Sequence, residues 1–265
     1  MTGTVITITS GKGGVGKTTT TASLAVALAR MGKKVVCIDA DIGLRNLDAA
    51  LGIEDDISTD LLDVVEGRAR LVYALVADVR LPNLMLLPAS KGRSRNLLNE
   101  FHMTKICQEL RSSFDFILID CPAGIEKGFR NAITPADQIL VVVTAEVSSV
   151  RDADRVVGLL EGIGKPSPYL IINRFQPSMS KKGELMDISS ILDILAIELI
   201  GVVPEDEKAI AAGTKGVPLT WRLNSPAAVA FNQIAHRLLG EDIPLKDLLP
   251  QVGILQRMTR LLGIN

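Results

Sequence analysis

The residues with the clearest chemical potential form one glycine-rich loop. In sequence order they are Gly11-Lys12-Gly13-Gly14-Val15-Gly16-Lys17-Thr18, a full match to the pattern G-x-x-x-x-G-K-[ST]. Glycines let a backbone curl until successive N–H groups point at one anion, so this loop predicts a phosphate site. Lys17 can then reach the β- and γ-phosphates of a nucleotide, and the Thr18 hydroxyl can ligate Mg²⁺. Thr19 completes the predicted set of nucleotide-binding residues in this segment.

Three carboxylates follow strand-like segments and could complete a hydrolytic site. Asp39 and Asp41 lie at the end of one apolar run, and Asp120 lies at the end of another. Open α/β sheets bind ligands at the carboxyl ends of their strands, so these side chains are expected near the phosphates. Asp120 is placed like a Walker B aspartate, which holds the metal through water or Thr18. We predict Thr18, Asp39 and Asp120 on the metal side and Asp41 beside the attacking water; a turn or helix-capping role is the alternative, more open for Asp39 and Asp41.

The elements that must position these residues follow a repeated βα rhythm. Short apolar runs alternate with amphipathic segments of helical length, which predicts an α/β fold with a mostly parallel, twisted sheet flanked by helices. The loop lies between a strand and a helical segment, Thr19–Arg30, and this context makes the phosphate motif specific. A last core helix is expected at about Pro226–Leu239. The predicted strands are Val5–Thr9, Val35–Ala40, Leu84–Leu87, Phe116–Ile119, Ile139–Thr144, Tyr169–Asn173 and Ile200–Val203.

Composition agrees with this fold and excludes several classes of protein. The chain has 265 residues, of which 47% are hydrophobic and only 3% aromatic, so the core must be aliphatic, as in the inner strands of a parallel sheet. An all-β sandwich is therefore disfavoured. The 29 basic and 30 acidic residues leave a net charge of -1, which predicts no overall attraction to nucleic acid. Lys91, Arg93 and Arg95 form one small basic cluster, which a solvated loop explains equally well.

The cysteines and histidines give no sign of metal or redox chemistry. Cys37, Cys107 and Cys121 show no C-x-x-C spacing, so we expect neither a disulfide framework nor a zinc site, and a reducing compartment. His102 and His236 stand alone in helical stretches and receive no role.

No membrane-spanning or secretory segment is expected. The first residues lead directly into a strand without the basic and apolar regions of a signal peptide. The longest apolar stretch, Ile188 to Val203, is interrupted by Asp193 and Glu198 and is shorter than the ~20 residues that a bilayer requires. We divide the chain into a nucleotide-binding domain (residues 1–240), a linker (241–252) and a C-terminal helix (253–265).

The C-terminal helix is predicted to be strongly amphipathic. At 100° per residue its apolar side chains share an arc of roughly 120°, and its polar side chains take the other side. Two interpretations are open at this point: the apolar face packs on the domain, or it enters a membrane surface. The apolar residues are Ile254, Leu255, Met258, Leu261 and Leu262, and the basic ones are Arg257 and Arg260.

Lys12 is unusual, because a phosphate loop already has its lysine in Lys17. The run K-G-G-V-G-K-T resembles the deviant Walker A motif of the ParA/MinD family of P-loop ATPases. By that resemblance, Lys12 crosses a dimer interface to the partner's nucleotide. A second cation beside developing phosphoryl charge can act like an arginine finger and link hydrolysis to dimerisation.

Four further segments resemble the branch of that family that places the division septum: Asp39–Asp48, Asp120–Glu126, Glu146–Arg155 and Val202–Asp206. The resemblance implies an ATP- and Mg²⁺-dependent ATPase that forms a homodimer with ATP. It also implies three partners, namely a MinC-like division inhibitor, a MinE-like activator and anionic lipids on the cytoplasmic face of the inner membrane. The tail is then a membrane-targeting helix.

The same resemblance surrounds the adenine with residues from two strand ends, Asn173, Arg174, Pro204 and Asp206. Two alternatives within the family remain, a ParA-type DNA-partitioning ATPase and a flagellar-number regulator. A DNA-binding dimer would need a basic face, so the small basic cluster is the feature to examine.

Overall fold

The computed structural model describes residues 2–53, 57–206, 218–221 and 225–245. Within these ranges eight strands form a single sheet in the order β3-β4-β2-β5-β1-β6-β7-β8, parallel throughout except for the β3–β4 pair. The strands are β1 (Thr4–Thr9), β2 (Val35–Asp39), β3 (Val76–Asp78), β4 (Leu81–Leu87), β5 (Phe116–Asp120), β6 (Gln138–Val143), β7 (Tyr169–Phe175) and β8 (Glu198–Pro204).

Helices cover both faces of this sheet. Two short 3₁₀ helices, Arg95–Leu97 and Leu219–Trp221, lie in the connections. The α-helices are α1 (Lys17–Arg30), α2 (Leu47–Leu51), α3 (Leu61–Val65), α4 (Leu71–Ala74), α5 (Glu100–Leu110), α6 (Lys127–Ile133), α7 (Val147–Gly162), α8 (Pro177–Lys181), α9 (Ile188–Leu195) and α10 (Pro226–Leu238).

The sheet is buried on both faces, which explains why its inner strands are apolar without alternation. In β5, Ile117 and Ile119 join the core on one face, while Phe116 and Leu118 join the core on the other. Helices α1 and α10 pack on the second of these faces, and α5, α6, α7 and α9 pack on the first. The α/β fold with a mostly parallel, flanked sheet is therefore confirmed.

The main error of the sequence analysis is a missed strand. β3 has only three residues, too few to show a periodicity, and it pairs antiparallel with β4 at the edge of the sheet. The tight turn before β4 is held by the buried carboxylate of Asp78, which accepts hydrogen bonds from the backbone and the guanidinium of Arg80. This strand therefore depends on a polar turn rather than on an apolar pattern.

Several predicted boundaries also move by one to three residues. Helix α1 begins at Lys17 instead of Thr19, because the last residues of the phosphate loop already form the first helical turn. Strand β7 continues to Phe175, so Asn173 lies inside the strand and not at its end. Ala40 and Thr144 lie outside β2 and β6.

The chain after α10 stays attached to the domain as far as it is described. Arg237 donates hydrogen bonds to the carbonyl oxygens of Ile243 (2.8 Å) and Ile200 (2.8 Å), so the start of the predicted linker is tied to β8. The predicted C-terminal helix, 253–265, lies outside the described residues. In the part of the chain that the structure covers, none of the helices has the length and apolarity to span a bilayer.

Candidate nucleotide-binding and catalytic site

The phosphate loop occupies residues 10–16, between the end of β1 and the start of α1. Gly14 and Gly16 adopt left-handed backbone conformations, with φ of 80° and 96°, which side-chain-bearing residues rarely accept. Gly16 is the N-cap of α1 and supplies no side-chain hydrogen bond to the first helical turn. The N–H groups of that turn are therefore left for an anion, as the glycine-rich pattern predicts.

Lys17 points back into the loop and is almost completely buried, with 8% of the residue exposed. Its ammonium nitrogen donates to the Ser10 hydroxyl at 2.9 Å and lies 3.5 Å from the Lys12 carbonyl oxygen. Burial lowers the pKa of Lys17, and attraction to Asp120 is the strongest opposing effect. Because a bound phosphate favours the charged form, this ammonium is suited to an anionic ligand. The sequence analysis overlooked Ser10, which carries no motif signal.

Thr18 and Asp120 lie together directly below the loop. The Thr18 hydroxyl donates to a carboxylate oxygen of Asp120 at 2.7 Å, and Thr21 donates to the other oxygen at 3.3 Å. Burial raises the pKa of Asp120, whereas the hydrogen bond from Thr18 and the charge of Lys17 act against that rise. The two predicted metal-side residues thus meet across 102 positions of sequence.

Asp39, at the end of β2, organises the loop that follows it. Its carboxylate accepts backbone N–H groups of Asp41 (3.0 Å), Asn46 (3.2 Å) and Leu47 (3.1 Å). Burial, followed by repulsion from neighbouring Asp120, raises the pKa of Asp39. With these bonds in place, Asp39 acts first as an anchor for the 40–47 loop, and its predicted metal role stays a prediction.

The loop that carries Asp41 is held at two further points. The Gly43 N–H donates to the Ser90 carbonyl at 2.9 Å, and the Arg45 guanidinium pairs with Asp48 at 2.6 Å. Asp41 itself is half-buried and contributes to the electrostatic environment of Lys17. Its carboxylate is thus placed near the phosphate loop by a fixed framework rather than by a free loop.

Lys12 lies at the mouth of the loop and contacts helix α7 of its own chain. Its ammonium nitrogen is 2.9 Å from both a Glu146 carboxylate oxygen and the Ser148 hydroxyl. The same helix also explains Gly11, because a β-carbon there would overlap the backbone of Asp152. The segment Glu146–Arg155 was recognised in the sequence by family resemblance alone, and the structure gives it a physical task beside the loop.

A cavity of about 390 Å³ opens beside the loop and gathers the residues predicted around the base. The residues that the sequence analysis named are joined there by four that it did not name, Val203, Glu205, Leu219 and Ala227. Leu219 belongs to a 3₁₀ helix held to α1 by the Thr220 hydroxyl, which bonds the Ser23 carbonyl at 2.9 Å. The named lining residues are Gly14, Gly16, Thr19, Asn173, Arg174, Pro204 and Asp206.

Asn173 links this cavity to the phosphate loop. Its side-chain amide donates to the Val15 carbonyl at 2.8 Å, and a β-carbon at Gly16 would collide with the same amide. Arg174 adopts a left-handed backbone conformation (φ 56°), and its exposed side chain pairs with Glu205 at 2.9 Å. Strand β7 therefore presents one residue inward to the loop and the next outward to the rim.

Replacing Asn173 with alanine should destabilise the protein. The buried Val15 carbonyl would lose its donor, and such a group costs about 1–3 kcal/mol. Arg174→Ala is the matched control, because an exposed ion pair contributes about 0–1 kcal/mol. Urea denaturation of the three proteins measures the difference. Equal transition midpoints for Asn173→Ala and the wild type would contradict the anchoring role.

The basic cluster at 91–95 does not form a free cationic patch. The Arg93 guanidinium pairs with Asp63 at 3.0 Å and Asp60 at 3.7 Å, and it also contacts Glu66. This neutralisation removes the feature that favoured a nucleic-acid interface. His236 pairs with Glu241 at 2.9 Å, away from the phosphate loop.

The residues present fit a nucleotide together with Mg²⁺. Across the described residues, no cluster of three or more His, Cys, Asp or Glu could hold a metal by itself. The Thr18–Asp120 pair instead offers one hydroxyl and one carboxylate, which suits a cation that takes most of its other ligands from phosphate and water. The buried ammonium of Lys17 and the uncapped start of α1 supply the matching anion site.

Fold and site together define a class, the P-loop ATPases with a second lysine at the start of the phosphate loop. Residues 6–219 match the family model for the CobQ/CobB/MinD/ParA nucleotide binding domain. The chain belongs to this family, and within it to the septum site-determining MinD group.

Individual relatives agree with that assignment. The chain is 53% identical to the septum site-determining protein MinD of Synechocystis sp. over 92% of both sequences, and 45% identical to that of Bacillus subtilis over 99% of both. Among solved structures it is similar to the MinC:MinD cell division protein complex of Aquifex aeolicus (TM-score 0.86, 49% identity, 92% of this chain and 99% of that chain). It is also similar to the MinD of Pyrococcus horikoshii complexed with Mg-ADP (TM-score 0.80, 30% identity, 91% and 99%).

Proposed function

We propose that this protein is an ATP-driven regulator of septum placement that dimerises with ATP, binds the membrane as a dimer and recruits a division inhibitor. The observation that carries the proposal is the different placement of the two loop lysines. Lys17 is enclosed by its own loop, whereas 40% of the Lys12 side chain is exposed at the mouth. Only Lys12 is therefore available to a second molecule that docks over the loop.

Within one subunit, the loop and the two buried side chains below it bind the nucleotide. Lys17 and the N–H groups at the start of α1 hold the phosphates, and Thr18 and Asp120 hold Mg²⁺. The metal ion, when bound, neutralises charge on the phosphate oxygens. Asn173 fixes the Val15 turn so that these donors stay in register with the base cavity.

Hydrolysis then requires a positioned water and a second cation. Asp41 orients the water and accepts its proton, since it is the half-buried carboxylate beside the loop that Asp39 keeps in place. Lys12 releases Glu146 and Ser148 and reaches the nucleotide of the other subunit. This requirement makes the reaction depend on dimerisation.

The proposed partners follow from the family and from the surface. The similar Aquifex protein is solved as a MinC:MinD complex, which supports a MinC-like division inhibitor as a partner here. A MinE-like activator that stimulates hydrolysis is proposed on resemblance. The DNA-partitioning alternative is disfavoured, because Arg93 in the one basic cluster is neutralised by carboxylates.

Membrane attachment is assigned to the predicted helix 253–265. Each large apolar side chain contributes at most about 1.5–3 kcal/mol when buried, and each arginine about 1 kcal/mol near anionic lipid. Ordering the segment costs about 1 kcal/mol or more per residue, so one copy binds weakly. Two copies in an ATP dimer gain from avidity, on the order of 10²–10⁴, which makes membrane binding conditional on ATP.

Replacing Leu261 with glutamate should remove ATP-dependent binding to anionic liposomes. Leu261 lies near the middle of the predicted apolar arc, where a carboxylate would face acyl chains without a partner. Co-sedimentation with liposomes, with ATP and with ADP, measures the effect. Replacing both Arg257 and Arg260 with glutamine should weaken binding mainly at low salt, because it deletes only the screened contribution.

Gln256→Glu is the matched control, since it adds the same charge on the polar side of the helix. Nucleotide binding should be unchanged in all these variants. If the chain truncated before Gly253 still pelleted with liposomes as well as the full chain, the membrane assignment would be wrong. If the full chain pelleted with DNA and not with liposomes, the partitioning alternative would replace the proposed function.

A further inference from the structure

A second exposed surface lies away from the phosphate loop, where α4 and α5 meet. Its members, here called the α4–α5 surface, are Arg70, Val72, Tyr73, Phe101, Lys105 and Glu109. The exposed fractions are 71% for Phe101, 70% for Tyr73 and 58% for Val72. The chain has only two tyrosines and six phenylalanines, so two strongly exposed rings on one surface are informative. Isolated exposed apolar residues are ordinary, but a contiguous group marks an interaction site.

A groove of about 370 Å³ continues this surface between α3–α4 and α5. Its floor includes Val64, Leu71 and Ile106, and Phe101 lies on its rim. Arg70 joins the two rings, because it lines the groove and its guanidinium lies 5.7 Å from the centre of the Tyr73 ring. The surface therefore offers both a protruding ring and an apolar recess that could receive one.

The charges of α5 indicate what occupies the groove. Phe101, Lys105 and Glu109 follow one another at intervals of four residues, so they share one face of the helix. Within the described residues, neither Lys105 nor Glu109 forms an ion pair in its own chain. When two copies of α5 pair antiparallel about a two-fold axis between these residues, each Lys105 lies opposite Glu109 of the other copy. The surface is thus complementary to itself in charge and in shape.

We propose that the α4–α5 surface is an interface between two copies of this chain, with Phe101 of each copy in the groove of the other. It differs from the face that carries Lys12, and it does not depend on a bound nucleotide. A protomer with two different two-fold interfaces assembles into an open chain rather than a closed dimer. Such chains would bring many C-terminal helices together on one surface.

Sedimentation velocity of the nucleotide-free, full-length protein tests the proposal. Over about 10–500 µM, where weak self-association is detectable, the average mass should rise towards that of a dimer. Lys105→Glu should weaken association at least about fivefold, because each dimer contains the repulsive pair twice. The double variant Lys105→Glu, Glu109→Lys should restore it, since the pairs are then only reversed. Phe101→Ser should abolish association.

Ile163→Ser, an equally apolar substitution at a 53% exposed position after α7, is the matched control and should associate like the wild type. Thermal melts establish that all variants are folded. A wild type that stays monomeric over the whole range overturns the proposal and leaves the surface to a different protein. Failure of the double variant to restore association, or an equal loss in Ile163→Ser, also overturns it.

Discussion

Alanine at Lys17 should abolish nucleotide binding, whereas alanine at Lys12 should preserve binding and remove ATP-dependent dimerisation. Lys17 is the buried ammonium inside the phosphate loop, with its hydrogen bonds confined to Ser10 and the loop backbone. Truncating one partner of a buried charged pair costs about 2–5 kcal/mol, so the affinity should fall at least about 100-fold. Lys12 is exposed at the mouth, where a charge contributes about 0.2–1 kcal/mol, so the affinity should change by less than about fivefold.

Calorimetry with ATP and ADP measures binding, and light scattering measures mass. The exposed Lys34→Ala is the matched control for loss of a positive charge, and it should bind and dimerise normally. A Lys12→Ala protein that still dimerises with ATP would contradict the role across the interface. A Lys17→Ala protein that keeps its affinity would contradict the phosphate site itself.

The second large effect is expected at Asp41. Removing a group that positions and deprotonates water slows hydrolysis by about 10²–10⁴. Binding should persist, because Lys17, Thr18 and Asp120 are untouched, so Asp41→Ala should accumulate as the ATP-bound dimer. Asp120→Ala should act differently: it removes the carboxylate bonded to Thr18 and should raise the Mg²⁺ concentration needed for nucleotide binding.

Single-turnover hydrolysis and a Mg²⁺ titration separate the two carboxylates. Asp41→Asn is the conservative variant, because it retains the size and removes the proton acceptor, and it should be as slow as Asp41→Ala. Asp39→Asn should disturb the 40–47 loop and therefore reduce both rate and stability. Hydrolysis by Asp41→Ala at the wild-type rate would show that another residue orients the water.

The parts of this protein that could be predicted from sequence are those in which neighbouring residues carry the signal. The phosphate loop is continuous, and its glycines and Lys17 identify their chemistry by spacing alone. The inner strands are continuous apolar runs because both faces of the sheet are buried, and all seven predicted strands are present. Asp39 and Asp120 could be placed at one edge because parallel strands end there, and the two residues are register partners.

The parts that could not be predicted depend on contacts between distant segments or on short polar turns. β3 was missed because its turn is held by Asp78 and Arg80, not by an apolar period. Glu146 and Ser148 could not be paired with Lys12 from spacing, since 134 and 136 positions separate them. Ser10 gives no signal in sequence, because a serine after a strand is ordinary until Lys17 folds back onto it.

By itself, the sequence determined the phosphate chemistry, the class of fold and the family, because each is written in a local pattern of residues. The tertiary structure alone decided how the two lysines differ, since burial encloses Lys17 while α7 meets Lys12 at the mouth. It also decided that Asn173 supports the Val15 turn and that carboxylates neutralise Arg93. The physical reason is that burial, ion pairing and hydrogen bonding are properties of positions in space, and the chain brings such positions together only when it folds.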